Sequence, residues 1–285
     1  MSLSNLSGHT ALVTGGARRL GRAIALALAQ EGADVVVHYR SSREEAEAVR
    51  AELAARGVRA WTVAADFADP AQTASLVPRA AALAGPLTLL VNSASDYPPS
   101  TLDTVTWPDL QRQIEVTAWA PFVLCREFVR QAEMDFRVAP ARGSLVNLLD
   151  AHITSGDATH VAYLWAKQLF AALTAQLALA YAPAFTVNAV APGLILPPPG
   201  GDLACLETRA ATVPLRRHGD PQDIAAAVIF LLKSDFITGE TIFVDGGERL
   251  GKTSDFRPQT SDSEGTGPRE TSSADASGRG LRSEV

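Results

Sequence analysis

Thr14-Gly15-Gly16-Ala17-Arg18-Arg19-Leu20-Gly21 is the stretch that decides the fold. An apolar, β-branched run, Thr-Ala-Leu-Val-Thr, leads into it, and from Leu20 onward an Ala/Leu-rich stretch of helical period follows at once. A strand that turns through glycines directly into a helix can bring backbone N–H groups at the helix start up to a pyrophosphate. A glycine cluster alone fits an ordinary tight turn equally well, so the surrounding pattern must decide.

That pattern continues outward along the chain. Strands are expected at 10–14, 34–39, 59–64, 87–92, 143–148, 185–191 and 241–244, and helices at 20–31, 43–56, 70–84, 107–137, 159–181 and 221–233. Asp69-Pro70 and Asp220-Pro221 each set a capping oxygen before a proline at the first helical position. The alternation predicts an α/β fold: one doubly wound domain over residues 1–250, with a parallel seven-stranded sheet and helices on both faces. Beyond Leu250, Ser, Thr, Gly and mixed charge take over and Phe256 is the sole aromatic, so 251–285 reads as a disordered tail. Residues 194–202, with three consecutive prolines, interrupt the pattern and read as a loop over a site.

Composition removes whole classes of function. The 285 residues are 47% hydrophobic, enough to bury a sizeable core. A net charge of −6, with Lys and Arg dispersed, argues against nucleic-acid binding. No apolar run reaches the roughly 18 residues of a membrane span, and no basic-then-apolar leader opens the chain. Cys125 and Cys205 form no framework, which suits a reducing cytoplasm. The five His never fall at ligand spacing with Cys or acidic residues, so no metal is expected.

Two further stretches carry chemistry. The second strand ends Val37-His38-Tyr39-Arg40-Ser41, with no acidic residue to bind adenosine ribose hydroxyls. Arg40, Ser41 and Arg19 instead offer donors suited to a ribose phosphate, which predicts NADP over NAD. Alternatively, Arg40 and Ser41 simply start a solvated loop and cap the next helix. In Tyr163-Leu164-Trp165-Ala166-Lys167, the spacing puts a phenol and an ammonium one helical turn apart, where Lys⁺ lowers the phenol pKa toward proton transfer.

Together with Asp66, Asn92-Ser93-Ala94, Asn188, Pro192-Gly193 and Asp245-Gly246-Gly247, these pieces resemble the short-chain dehydrogenase/reductases in order and spacing from Gly8 to Leu250. The resemblance implies a Rossmann domain binding NADP (NADPH). Its cofactor residues here are Gly15, Arg18, Arg19, Leu20, Gly21, His38, Tyr39, Arg40, Ser41, Asp66, Phe67, Asn92, Ser93, Ala94, Ser95, Pro192, Gly193, Leu194 and Ile195, with Tyr163 and Lys167. Arg19 stands where the usual glycine turn has Gly, Asp150 replaces the usual catalytic Ser, and Tyr97 follows three positions after Ala94. Those departures resemble the pteridine reductases and the bacterial dihydromonapterin and dihydrofolate reductases. Two positions differ from the common pattern: Ser93 replaces a second Asn, and Thr117 replaces an Asn that usually serves a water relay behind Lys167. This branch implies reduction of a pterin or dihydrofolate-like C=N bond in tetrahydrofolate biosynthesis. Tyr163, Lys167 and Asp150 are the catalytic residues it implies, with Arg19, Ser95, Tyr97, Asp150 and Tyr163 against the substrate.

Asp150 also has a physical argument. A ketone reductase builds an oxyanion, which a hydroxyl donor stabilises and a carboxylate repels. A guanidine-like heterocycle welcomes a carboxylate, and an Asp of raised pKa could help deliver the proton its nitrogen needs. The alternative is a helix cap with no chemistry. Tyr97 either stacks on a flat heterocycle or covers the core as a loop aromatic. A homo-tetramer is expected from Trp119, Phe122, Phe128, Trp165 and Phe170, unless all five pack internally. Two other functions compete: a carbonyl reductase acting on 3-oxoacyl, sugar or steroid-like substrates, which a ketone panel tests, and a catalytically dead nucleotide sensor, which would bind without turnover.

Overall fold

Seven short runs rich in Val, Leu and Ala form strands β1 (Thr10–Thr14), β2 (Asp34–Tyr39), β3 (Ala60–Ala64), β4 (Leu89–Asn92), β5 (Gly143–Leu148), β6 (Phe185–Pro192) and β7 (Thr241–Val244). The computed structural model describes residues 5–135, 143–198 and 201–251. The expected tail, apart from Gly251, and the last two residues of the expected helix 107–137 lie outside the described residues. All pairings are parallel, in the order β3-β2-β1-β4-β5-β6-β7. In register, Val13 stands between Val37 and Val91. Every residue of β1 and β4 is buried, as a strand covered on both faces requires.

Helices supply the two covers. On one face α1 (Arg19–Gln30), α2 (Arg43–Ala55) and α8 (Pro221–Lys233) pack Ile24, Leu28, Leu53, Val228 and Leu231 against the sheet. On the other face α3 (Pro70–Ala84), α5 (Ala120–Asp135) and α6 (Val161–Tyr181) bring Leu76, Leu124, Phe128 and Leu177. The two proline-led starts behave as their sequences indicate. Asp69 accepts from the N–H groups of Ala71 and Gln72, and Asp220 forms a capping box with Asp223.

The single helix expected at 107–137 is broken into α4 (Trp107–Gln113), a π-helical turn Ile114–Trp119, and α5. Val116, Thr117 and Ala118 of this turn are buried consecutively. Directly after the expected loop 194–202, α7 (Leu203–Ala210) is capped by Asp202, whose carboxylate accepts from Cys205 N–H; residues 199 and 200 lie outside the described residues. The five aromatics expected on one surface divide. Phe128 and Phe170 are buried in the core, whereas Trp119 (53% exposed) and Trp165 (42%) face outward. No helix among the described residues is long and apolar enough to cross a membrane.

Candidate active site

The order of strands reverses between β1 and β4, and beyond their C-terminal ends lies a cleft of about 510 Å³. Thr14, the last residue of β1, clamps the two turns by accepting from the N–H groups of Ser93 (2.9 Å) and Ala94 (3.0 Å). The approach is close enough that a Cβ on Gly15 would stand 2.9 Å from Ala94 Cα. One on Gly21 would stand 2.2 Å from the Gly15 carbonyl oxygen. The glycine turn therefore excludes side chains and leaves its backbone open to a ligand.

Arg19 departs from the turn's glycine pattern without departing from its geometry. Its φ is +51°, the left-handed conformation that a glycine takes freely and other residues take at a cost of roughly 1–2 kcal/mol. Its guanidinium donates to the Pro197 carbonyl at 2.7 Å, reaching across the cleft. Arg18 is paired with Glu45 of α2. Arg40 is exposed and forms no ion pair among the described residues, and Ser42 at the start of α2 makes no side-chain capping bond. This arm of the cleft thus offers three arginines around a carboxylate-free end of β2.

His38 supports the turn from behind. Gly15 N–H donates to its Nδ1 at 3.1 Å, which leaves the ring proton on Nε2 to be donated to the Ala65 carbonyl at 3.0 Å. Burial lowers its pKa to about 4, so the ring stays neutral, stacked on Phe67 at 4.6 Å. Both residues form part of the cleft wall.

At the other arm, β5 ends beside α6. Tyr163 Oη donates to Asp150 Oδ2 at 3.1 Å, and Lys167 Nζ donates to the Leu148 carbonyl at 2.6 Å. Lys167 lies 5.6 Å from the centre of the Tyr163 ring. Three expectations need correction here. The Tyr163 pKa is raised well above its usual value, by burial first and then by the Asp150 charge, whereas Lys167 was expected to lower it. Burial brings the Lys167 pKa itself down to about 8. Asp150 is not raised either: burial opposes its ionisation, but hydrogen bonds from the His152 side chain and backbone outweigh that and hold it below the ordinary carboxylate range. Third, Tyr97 already stacks on a protein ring, His160, at 3.7 Å and 12°, and donates to Asp157 at 3.3 Å. Its ring meets the Tyr163 ring edge-on at 4.7 Å.

Asp150 makes two kinds of contact. It caps the 3₁₀ turn Ala151–Ile153 through His152 N–H, and it holds the phenol. Of the candidate site residues, Asn92 alone does not line the cleft. It is buried beneath it, donating to Asn147 Oδ1 at 2.9 Å, because the last residue of β4 turns toward the neighbouring strand. Asn188 likewise is structural, bonded to Ile237 and Glu240. The sequence reading missed His152, Arg209 and Glu248, which also line the cleft. Glu248 accepts from Leu194 N–H at 2.9 Å and lies 3.7 Å from His152 and 3.6 Å from Arg209. An Asp-x-His at the end of the fifth strand was the available signal for the first; Arg209 and Glu248 carry none locally.

Comparison with known proteins agrees with this geometry. The family model described as enoyl-(acyl carrier protein) reductase, a short-chain dehydrogenase model, matches residues 15–248. An uncharacterized oxidoreductase of Mycobacterium tuberculosis is 37% identical over 260 residues, covering 87% of this chain and 94% of its own. The 3-oxoacyl-[acyl-carrier-protein] reductase of Staphylococcus aureus is 33% identical, covering 84% and 97%. Among solved structures, alternative dihydrofolate reductase 1 of Brucella canis, complexed with NADP, superposes with a TM-score of 0.80 at 30% identity, covering 86% of this chain and 96% of that one.

Proposed function

The chain belongs to the short-chain dehydrogenase/reductase family, and from that premise we propose that it is an NADPH-dependent reductase of a C=N bond in a pterin or dihydrofolate-like ring. The observation that carries the proposal is Asp150: an ionised carboxylate, in contact with the candidate proton donor, where a ketone reductase needs a neutral hydroxyl. The structural likeness to a dihydrofolate reductase of Brucella canis complexed with NADP supports it.

The cleft suits the cofactor. The side-chain-free turn at Gly15 and Gly21 would take the pyrophosphate, and Arg40, Arg18 and Arg19 a phosphate on the adenosine ribose. When bound, NADPH supplies the hydride. Tyr163, kept protonated by burial and by Asp150, gives its proton to the substrate nitrogen; a raised phenol pKa is what a proton donor in the reducing direction needs. Lys167 orients the ribose end, and the Asp150 carboxylate receives the N–H edge of a guanidine-like ring. The Ser95 side chain beside the phenol works slightly against the rise of the phenol pKa.

An NADPH-oxidation assay with dihydrobiopterin, dihydromonapterin, dihydrofolate and a ketone panel tests the proposal. Turnover confined to ketones would replace it with carbonyl reduction, the reading favoured by the 33% identity to a 3-oxoacyl reductase. A cytoplasmic homo-tetramer belongs to the same proposal, with exposed Trp119 and Trp165 at the subunit contact; a monomer by sedimentation at micromolar concentration would sink that part.

A further inference from the structure

We propose that Tyr163 recovers its proton through Asp150 from His152, so that the proton donor reaches water by this route and not through Lys167 and α4. The inference deepens the reductase reading and rests on it. Asp150 faces two partners with different oxygens: Oδ2 lies 3.1 Å from Tyr163 Oη and Oδ1 lies 3.0 Å from His152 Nδ1. A carboxylate placed this way can take a proton from His152 on one oxygen and, by turning about its Cβ–Cγ bond, present it to Tyr163. Tyr163 and Lys167 are 7% and 3% exposed, whereas the His152 side chain is 28% exposed, so His152 is the member that meets solvent.

Behind the lysine the polar groups are engaged within the protein. Lys167 Nζ is bonded to the Leu148 carbonyl, and the Thr117 hydroxyl, 1% exposed, donates to Gln113 Oε1 at 3.2 Å within its own helix.

Charge around His152 favours its protonated form. It faces Asp150 after β5, Glu248 after β7 (3.7 Å) and Asp157 before α6. Arg209 of α7 opposes them only through Glu248, and Lys167 and Tyr163 of α6 stand behind Asp150. The hydrogen bond to Asp150 accordingly raises the His152 pKa above 6.5, against the effect of burial.

Each turnover balances. The Tyr163 O–H bond breaks as the substrate nitrogen takes its proton. Ionised Asp150 takes the Nδ1 proton of protonated His152 on Oδ1, turns about its Cβ–Cγ bond and gives that proton to the phenolate, which restores both the Tyr163 O–H and the carboxylate. The imidazole, open to water, turns about its Cβ–Cγ bond and is recharged from solvent. No electrons move in this relay. His152 acts through Asp150 and is a positioning and relay residue.

The test is His152→Asn, which keeps a donor beside Asp150 but cannot titrate. Expected is a kcat about 10-fold lower at pH 7.5, an unchanged KM for NADPH, and loss of the pH-dependent limb that wild type shows above pH 6.5. Added imidazole should restore part of the rate to His152→Ala. A wild-type profile in His152→Asn, or an equal loss at every pH without imidazole rescue, overturns the relay. If only a ketone is reduced, the C=N reading fails while the same profile still judges the relay. Independently of any substrate, the His152 ring should titrate above 6.5 by NMR and fall back in Asp150→Asn. A titration indifferent to that change removes the contact on which the relay depends.

Discussion

The arm of the cleft after β1 and β2 and the arm after β5 and β7 handle charge in opposite ways. In the first, Arg18, Arg19 and Arg40 are exposed around a tight glycine turn, Arg18 paired with Glu45 and Arg19 bonded to the Pro197 carbonyl. In the second, Asp150, Asp157 and Glu248 are partly buried and already engaged with His152, His160, Tyr97 and Tyr163. The difference teaches where each kind of damage should register. Exposed cations at the mouth of the cleft meet an arriving anion, so they act on affinity. Preorganised carboxylates and their phenol act on the reaction itself.

The comparison breaks most visibly at Asp150. Asp150→Ser should lower pterin turnover by about 100-fold or more while NADPH affinity stays near wild type. Tyr163→Phe should do similar damage, and the double variant little more, because the two serve one proton-delivery unit. Full turnover with a lowered melting point would reduce Asp150 to its capping bond with His152.

On the cationic arm, Arg40→Asp should weaken NADPH binding by more than about 1.5 kcal/mol through loss of a charge-assisted phosphate contact. NADH binding should change far less. Equal losses, measured by fluorescence titration, would mean that Arg40 holds its loop and never meets the phosphate.

A smaller effect concerns pH. The folded pKa of His152 is raised above 6.5, so its pairing with Asp150 stabilises fully below pH 6.5 and is lost as pH rises through the raised value. Asp150 is lowered, so its share is present above 3.8 and lost as pH falls through its folded value. His152→Gln should therefore cost about 1 kcal/mol near pH 6 and less at pH 9, read from urea midpoints. A constant difference would show that the pair's charge contributes nothing.

The smallest effect is expected at Arg19. Arg19→Gly removes a left-handed strain of roughly 1–2 kcal/mol but also the exposed bond to Pro197, so stability should shift by less than about 1 kcal/mol. A larger loss would show that the cross-cleft bond outweighs the strain.

Strands, helix starts and the cleft's location were legible because each follows from a local pattern: valine runs, Asp-Pro caps, a glycine turn. The position of Asp150 beside Tyr163 was legible too, since β5 and α6 are fixed by the fold. Its ionisation was not, because it depends on His152, whose ring direction no spacing reveals. Tyr97 illustrates the same limit: its partner His160 lies 63 residues away by number and is brought near by a bridge between Ser100 and His160. The π-helical turn escaped because its residues carry the same apolar pattern as the regular helices on either side of it.

The reversed strand order has a consequence for how the protein comes into being. β1, near the start of the chain, completes its pairing only when β4 arrives, and Leu194 is held by Glu248, the last acidic residue of the domain. The arm after β1 and β2 draws its turn and its arginines from residues 15–40, whereas the arm after β5 and β7 needs the chain as far as Glu248. Contacts this distant in sequence must close long loops before they reward folding, which makes assembly slow compared with that of a helical bundle. On a ribosome, the cleft would form only after the segment carrying Glu248 has emerged, so a chain cut before β7 would lack both the seventh strand and the acid that holds Leu194 in place.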